Sequence, residues 1–310
     1  MAGIVVCGLI NYETTLRIGG FPLEYNPVNY PFHGIASSVS GVGFNVATAL
    51  ARLGNDVRFL SFLGDDPLGR HMRERLRDHR LADQVVEVRK MASPQSVILY
   101  DPAGRRQIHV DLKSVQELAY PVDRFLAAAQ GCTAAALCNI NFSRPLLREA
   151  RRLGLLVATD VHAISSLEDE YNRDYMQSAD LLFLSHEGLP CSPEEAARLI
   201  LGTFATPRLV VIGLGHDGAV LGRRDDGSIR RFPAAPPPRV TNTIGAGDAL
   251  FSSFLHWYLR DGDPDRALIR AQVFASLKIA GAGGADALPT EAEVEARLET
   301  LAGLNCRLTP

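Results

Sequence analysis

Along the chain, short unbroken apolar runs alternate with longer stretches in which apolar residues recur every three to four positions. Residues 4–7 (Ile-Val-Val-Cys) are one such run, and at 44–53 Val46, Ala49, Leu50 and Leu53 share one helical face. The order repeats at 57–62 then 68–79, and at 134–138 then 145–153. Apolar runs follow at 155–159, 181–184 and 209–212, with a helical stretch at 193–202. Runs of four to eight apolar residues suit strands buried on both faces, and a three-to-four spacing suits helices with one buried face. Strand and helix in alternation predict an α/β fold, a mostly parallel sheet covered by helices on both sides. Ligands are then expected beyond the carboxyl ends of the strands.

Two segments interrupt this alternation. Residues 14–35 are rich in Gly, Pro and Asn, and 95–112 read as a hairpin, 96–100 and 107–112, around Asp101-Pro102-Ala103-Gly104. Both are expected to lie outside the main sheet as a small β lid, with ordinary surface loops as the alternative. A chain of 310 residues, 46% hydrophobic and 22% charged, suits one large α/β domain over 1–310 with those lid segments. The formal charge of −3 provides no basic footprint for nucleic acid. No apolar run reaches the roughly 18 residues of a membrane span, so a soluble, cytoplasmic protein is expected. The five cysteines are scattered without a C-x-x-C pair, which suits reduced thiols and does not suggest zinc.

The chemistry concentrates in two glycine turns. Asn242-Thr243-Ile244-Gly245-Ala246-Gly247-Asp248 runs into a stretch with Phe251, Phe254, Leu255 and Tyr258 on one face, so a helix is expected to start near Asp248. Glycines at such a start leave N–H groups pointing outward, where these amides and the helix dipole favour an anion. Asp248 could accept the proton of an attacking hydroxyl beside them, a minimal apparatus for phosphoryl transfer. The same letters also suit a tight turn with an acidic helix start. The second turn, Ser40-Gly41-Val42-Gly43-Phe44-Asn45, precedes the helix at 44–53, and Asn45 offers a donor and an acceptor to a sugar hydroxyl. Gly213, Gly215 and Gly218 match the spacing of a dinucleotide fingerprint. A hairpin around Asp225-Asp226-Gly227 is expected after them in place of the required helix, which argues against NAD. The lysines are Lys90, Lys113 and Lys278, none after a glycine, so a P-loop is excluded. Asn11 and Glu13 follow the first run, where substrate contacts belong, although alone they read as a solvated loop. Asp160, His162, His186 and Glu187 stand after later runs.

The two turns, in this order and nearly a chain apart, resemble the signatures of the ribokinase-like sugar kinases, the PfkB carbohydrate kinase family. Gly8-Leu9-Ile10-Asn11, the run from Phe62 to Gly69, and Val211 to Gly218 are similar to further segments of that family. The resemblance implies a Rossmann-like three-layer sandwich with a mostly parallel central sheet and a β lid. It implies ATP with Mg2+, and transfer of the γ-phosphoryl group to a hydroxyl of a small-molecule sugar or nucleoside. Asp248 would be the base and Gly245, Ala246 and Gly247 the anion hole. Asn11, Glu13, Gly41, Gly43 and Asn45 would meet substrate; Thr243, Gly213, Gly215, Gly218 and Ser276 would face the nucleotide; Glu187 would hold water on magnesium. The lid would close over substrate and could join two copies as a homodimer. Glu13 stands where many members have Asp, Ser40 where Gly is usual, and Asn242 where Asp is common, which leaves a monovalent cation undecided. Glu187 is one position out of register with the family's N-x-x-E motif. A phosphosugar kinase and a non-catalytic ligand-binding protein are the alternatives.

Overall fold

The computed structural model describes residues 2–81, 86–281, 284–285 and 287–308. The chain begins β1 (Gly3–Cys7), β2 (Asn11–Arg17), β3 (Ile35–Ser40), α1 (Val42–Arg52), β4 (Asp56–Gly64), α2 (Pro67–Asp78), β5 (Val86–Arg89), β6 (Gln95–Tyr100) and β7 (Arg106–Asp111). It continues with α3 (Val122–Ala128), β8 (Ala134–Leu137), α4 (Arg144–Arg152), β9 (Leu156–Asp160), α5 (Arg173–Ser178), β10 (Leu181–Ser185), α6 (Pro193–Thr203) and β11 (Leu209–Gly213). The hairpin β12 (Ala219–Arg223) and β13 (Ile229–Phe232) leads to α7 (Ala246–Asp261), α8 (Pro264–Lys278) and α9 (Glu291–Leu308). Among the described residues no helix is long and apolar enough to cross a membrane.

Nine strands form one sheet in the order β13-β12-β11-β10-β9-β8-β1-β4-β5, parallel except at β12 and β13. Strand β1 shows why an unbroken apolar run suits this position. Ile4 and Val6 join one core with Phe44, Leu50, Phe254 and Trp257. Val5 and Cys7 join the other with Phe62, Phe125 and Phe142. All four are fully buried, and each such aliphatic side chain contributes about 1.5–3 kcal/mol on burial, so a charge at Val5 would meet hydrocarbon on its whole face. From β1 the chain moves outward through β4 and β5 and then returns to the far side of β1 as β8. The crevice at the carboxyl ends of β1 and β8 is therefore the switch point of the sheet, where α/β folds take ligands.

A second sheet of four strands, β3-β2-β6-β7, stands apart from the first. It pairs β2 with β3 antiparallel and with β6 parallel, and closes on the β6–β7 hairpin. This is the expected lid with shifted bounds: the strands reach back to Asn11 and on to Ser40, and 18–34 is a largely exposed connection without regular structure. Asn11 and Glu13 correct the solvated-loop reading. They lie on β2 and are buried, because their face of the strand turns toward the crevice and not toward water. Helix α7 also begins at Ala246, two residues before the expected start, because Gly245 in the left-handed region at φ 73° caps it. The β12–β13 hairpin follows Gly218 as the turn residues predict.

Candidate active site

Glycine at 245 is required twice over. Its φ is positive, and a side chain there would lie 2.9 Å from the Gly284 carbonyl oxygen. The Ala246 amide bonds back to Thr243 O at 3.2 Å, and the space above Gly247 is open. Among the described residues the Gly247 and Asp248 amides have no backbone acceptor outside the helix. This is an open helix N-terminus with donors and dipole directed at one point, the physical requirement for holding a phosphoryl group. The second turn is placed by a close approach: a side chain on Gly43 would come within 2.4 Å of the Gly8 backbone, so the start of α1 rests directly on the end of β1. Gly41 caps α1 at φ 107° beside Leu9 O.

The two turns meet through side chains. Asn45 Nδ2 donates to Asp248 Oδ2 at 2.7 Å, joining positions 203 residues apart. Ser40 Oγ lies 3.4 Å from both the amide oxygen and the amide nitrogen of Asn45, and Ser40 also favours the ionised form of Glu13. Asn11 Nδ2 donates to Ser96 Oγ at 3.0 Å, tying the site to lid strand β6. Asn11, Glu13, Ser40 and Asn45 are all buried. Asn11 Oδ1 and Glu13 Oε1 are buried without a hydrogen-bond partner among the described residues, which suits a place where a hydroxyl-bearing ligand binds.

Burial raises both carboxyl groups. For Asp248 burial is the leading cause and Asp160 adds to it, while the Asn45 hydrogen bond, His162 and Lys278 oppose it. Glu13 is pushed up to about 7 by burial, against the influence of Ser40, with the Asp248 charge raising it and Lys278 lowering it. A carboxylate raised toward the working pH and held by a donor has the character of a general base.

The remaining expected residues are spread more widely. Thr243 Oγ1 accepts from Arg106 Nη1 of β7 at 3.4 Å, a contact between lid and anion turn. Glu187 is exposed beyond β10, its amide bonded to Ser185 Oγ at 3.1 Å. It lines a cavity of about 570 Å³ with Phe21, Arg105, Arg106 and Gln107 of the lid. Strand β10 neighbours β9, and its Phe183 packs on Phe251 and Phe254 of α7. Gly213 ends β11 and Gly215 sits in the short turn after it. Gly218 packs on β13, where a side chain would overlap the Phe232 carbonyl oxygen. Ser276 is buried in α8 with its hydroxyl given to Val273 O at 2.8 Å. Asp160 accepts from the His162 amide at 2.8 Å, and His186 Nδ1 is 2.9 Å from Gly213 O. Among the described residues no three His, Cys, Asp or Glu side chains gather as a metal cluster.

Sequence pattern gives no role to Lys278, fully buried at the end of α8 with its ammonium donated to the Ile244 carbonyl. A lysine inside the apolar stretch Phe274 to Ala280 was the available signal.

Known proteins resemble this chain over most of its length. The family model "pfkB family carbohydrate kinase" matches residues 1–291. The chain is 29% identical over 270 residues to the acarbose 7(IV)-phosphotransferase of Actinoplanes sp., covering 86% of this chain and 88% of that protein. It is 27% identical to a fructokinase of Klebsiella pneumoniae, covering 83% and 91%. It is 28% identical to an ATP-dependent ribose-1-phosphate kinase of Halopiger xanaduensis, covering 96% and 98%. Among solved structures, a microbiome-derived acarbose kinase superposes with a TM-score of 0.84 at 22% identity, over 96% of this chain and 99% of that one. A ribokinase from Giardia lamblia superposes at 0.82 and 17% identity, over 97% and 99%.

Proposed function

The chain belongs to the pfkB family of carbohydrate kinases, and from that premise we propose that it phosphorylates a sugar hydroxyl with Asp248 as general base. Sugar kinases and nucleoside kinases share this fold, and ATP is the phosphate donor of the family. The choice of a sugar acceptor is supported by relatives named for acarbose, fructose and deoxyribose. The single observation that carries the reading is the Asn45–Asp248 hydrogen bond, which brings the second glycine turn against the base at the open start of α7.

In this reading the acceptor sugar lies between β2 and the start of α1, with its hydroxyls on Asn11, Glu13 and Asn45 and its ring against Gly41 and Gly43. Asp248 takes the proton of one hydroxyl as that oxygen bonds to the γ-phosphorus and the bond to the β-phosphate oxygen breaks. At the Gly245-Ala246-Gly247 turn the developing negative charge falls on the open amides, Gly247 first, since Thr243 O holds the Ala246 amide, and ADP leaves along Thr243, Gly213, Gly215 and Gly218, with Ser276 set back by its bond to Val273 O. Magnesium, when bound with the ATP phosphates, neutralises their charge, and Glu187 would hold it through water. The lid segments, 14–35 and 95–112, would close to keep water from the phosphoryl group in a single kinase domain spanning the chain. A cytoplasmic setting, where ATP is at hand, suits this chemistry.

The phosphosugar alternative needs an arginine cluster for the second phosphate. Arg105 is instead held by Asp101 at 2.8 Å and by the Phe21 carbonyl, and Arg106 turns to Thr243. The test is ADP release from Mg-ATP across free sugars, oligosaccharides, phosphosugars and nucleosides. A free sugar or oligosaccharide should turn over fastest, and exclusive use of a nucleoside or phosphosugar would refute the assignment.

A further inference from the structure

A fully buried ammonium is uncommon because it must give up its hydration, and it is found where partners replace water. Lys278 has such a setting. It occupies the last turn of α8, where the carbonyl end of the helix dipole favours a cation. The same helix end is stitched to the segment before the anion turn. The Thr241 and Asn242 amides donate to Ile279 O at 2.9 and 3.2 Å, and Thr241 Oγ1 donates to Ala280 O at 3.0 Å. Lys278 completes the seam by donating to Ile244 O, the carbonyl immediately ahead of Gly245. A side chain built on Gly245 would stand 3.2 Å from Lys278 Nζ, so the charge lies directly against the turn.

Two carboxyl groups feel this charge. Lys278 acts on Asp248 of α7 and on Glu13 of β2, opposing in each the effect of burial. The other ionisable groups around Asp248 are Asp160 at the end of β9, His162 just beyond it, the buried thiol of Cys138 after β8, and Glu13 itself. Among the described residues Lys278 is the one lysine or arginine that acts on both carboxyl groups. A monovalent cation from solution would need inward carbonyl oxygens at the same seam. Among the described residues these are engaged by protein donors: Ile244 O by Lys278, Ile279 O by two amides, and Ala280 O by Thr241 and by Arg239 Nε at 3.2 Å.

We propose that the Lys278 ammonium is a tethered cation for this site. It fixes the turn ahead of Gly245 and balances Asp248 and Glu13, so that neither folding nor turnover depends on a monovalent cation in solution. Lys278 is a positioning residue, acting through Asp248 and the turn amides. The inference rests on the reading of Asp248 as base, but its test has an arm that requires no catalysis.

That arm compares thermal unfolding of the wild-type protein in choline, sodium, potassium and ammonium chlorides at one ionic strength. The expected result is the same midpoint in all four salts, and stabilisation by potassium over choline would overturn the proposal. In Lys278→Ala, methylammonium or ammonium should raise the midpoint where choline does not, because a small cation can enter the space vacated. In the activity arm, wild-type turnover should be equal in the four salts. Lys278→Met should lose about 10²-fold in kcat, as expected for loss of a fixed charge at an anion site. Its acid limb of kcat/KM should also move to higher pH, because the charge opposing protonation of Asp248 is gone. Wild-type kcat with an unmoved acid limb in Lys278→Met would overturn the proposal. If Lys278→Met does not fold, the wild-type salt series still decides. Failure of the kinase reading itself would show separately, as an Asp248→Asn protein that keeps its turnover.

Discussion

Replacing Asn45 by Ala removes the donor that holds Asp248 and leaves the base carboxylate in place. The lost interaction is a 2.7 Å hydrogen bond from an amide to Asp248 Oδ2. Hydrogen bonds to charged groups contribute about 1.5–3 kcal/mol, and 1.36 kcal/mol corresponds to about one pH unit of titration. Water can enter the space left by the amide, so the lower part of that range applies. The acid limb of the kcat/KM profile should then move up by about one pH unit. The direction follows from the bond's effect: it favours the ionised carboxylate, so its loss makes Asp248 easier to protonate. Asn45→Asp should move the limb further in the same direction, because a second carboxylate then faces the first. The assay is coupled ADP release with saturating Mg-ATP and acceptor held well below its KM between pH 5 and 9, with thermal unfolding as the control for folding. If both variants fold and their acid limbs superimpose on the wild type, Asp248 is not the titrating group of the reaction.

Glu13 links the site to stability. Its carboxyl titrates near 7 when folded and near 4.5 when exposed, so the folded state binds the extra proton between these values and stability falls as pH rises through that window, by up to about 3 kcal/mol. Glu13→Gln should therefore flatten this loss, and a wild-type-minus-variant difference in unfolding midpoint that stays constant from pH 4.5 to 8 would refute it. The lid should become protected from hydrogen exchange over 14–35 and 95–112 when acceptor and a non-hydrolysable ATP analogue are added; unchanged exchange at saturation would contradict closure. Ile35, Val97, Ile108 and Val110 leave 44–61% of their surface exposed on the lid sheet, so light scattering is expected to report a dimer, and a monomer at high concentration would remove the pairing but not the lid.

Much of this was legible in the sequence because local physics wrote it there. A run such as Ile4 to Cys7 can satisfy both faces of a parallel sheet only from inside it, and both cores claim it. The start of α7 was legible because a left-handed cap and an open helix start both call for glycine at particular positions. Its first residue was misplaced because the apolar periodicity begins only after Asp248. Taken alone, Asn11 and Glu13 read as a solvated loop because the usual alternation assigns polar residues to water, whereas on β2 the buried face carries the polar residues. Lys278 was hidden because its meaning lies in a carbonyl 34 positions away. The Asn45–Asp248 bond likewise exists only after the sheet has brought α1 beside α7.

In the proposed mechanism Asp248 removes the acceptor's proton at the open start of α7. Steady-state turnover of Asp248→Asn with Mg-ATP and the best acceptor tests it most directly, with ATP affinity and unfolding midpoint measured on the same protein. A positioned general base contributes about 10²–10⁴-fold, so kcat should fall by at least about 100-fold while ATP affinity changes little. A folded Asp248→Asn protein that turns over near the wild-type rate would contradict the account.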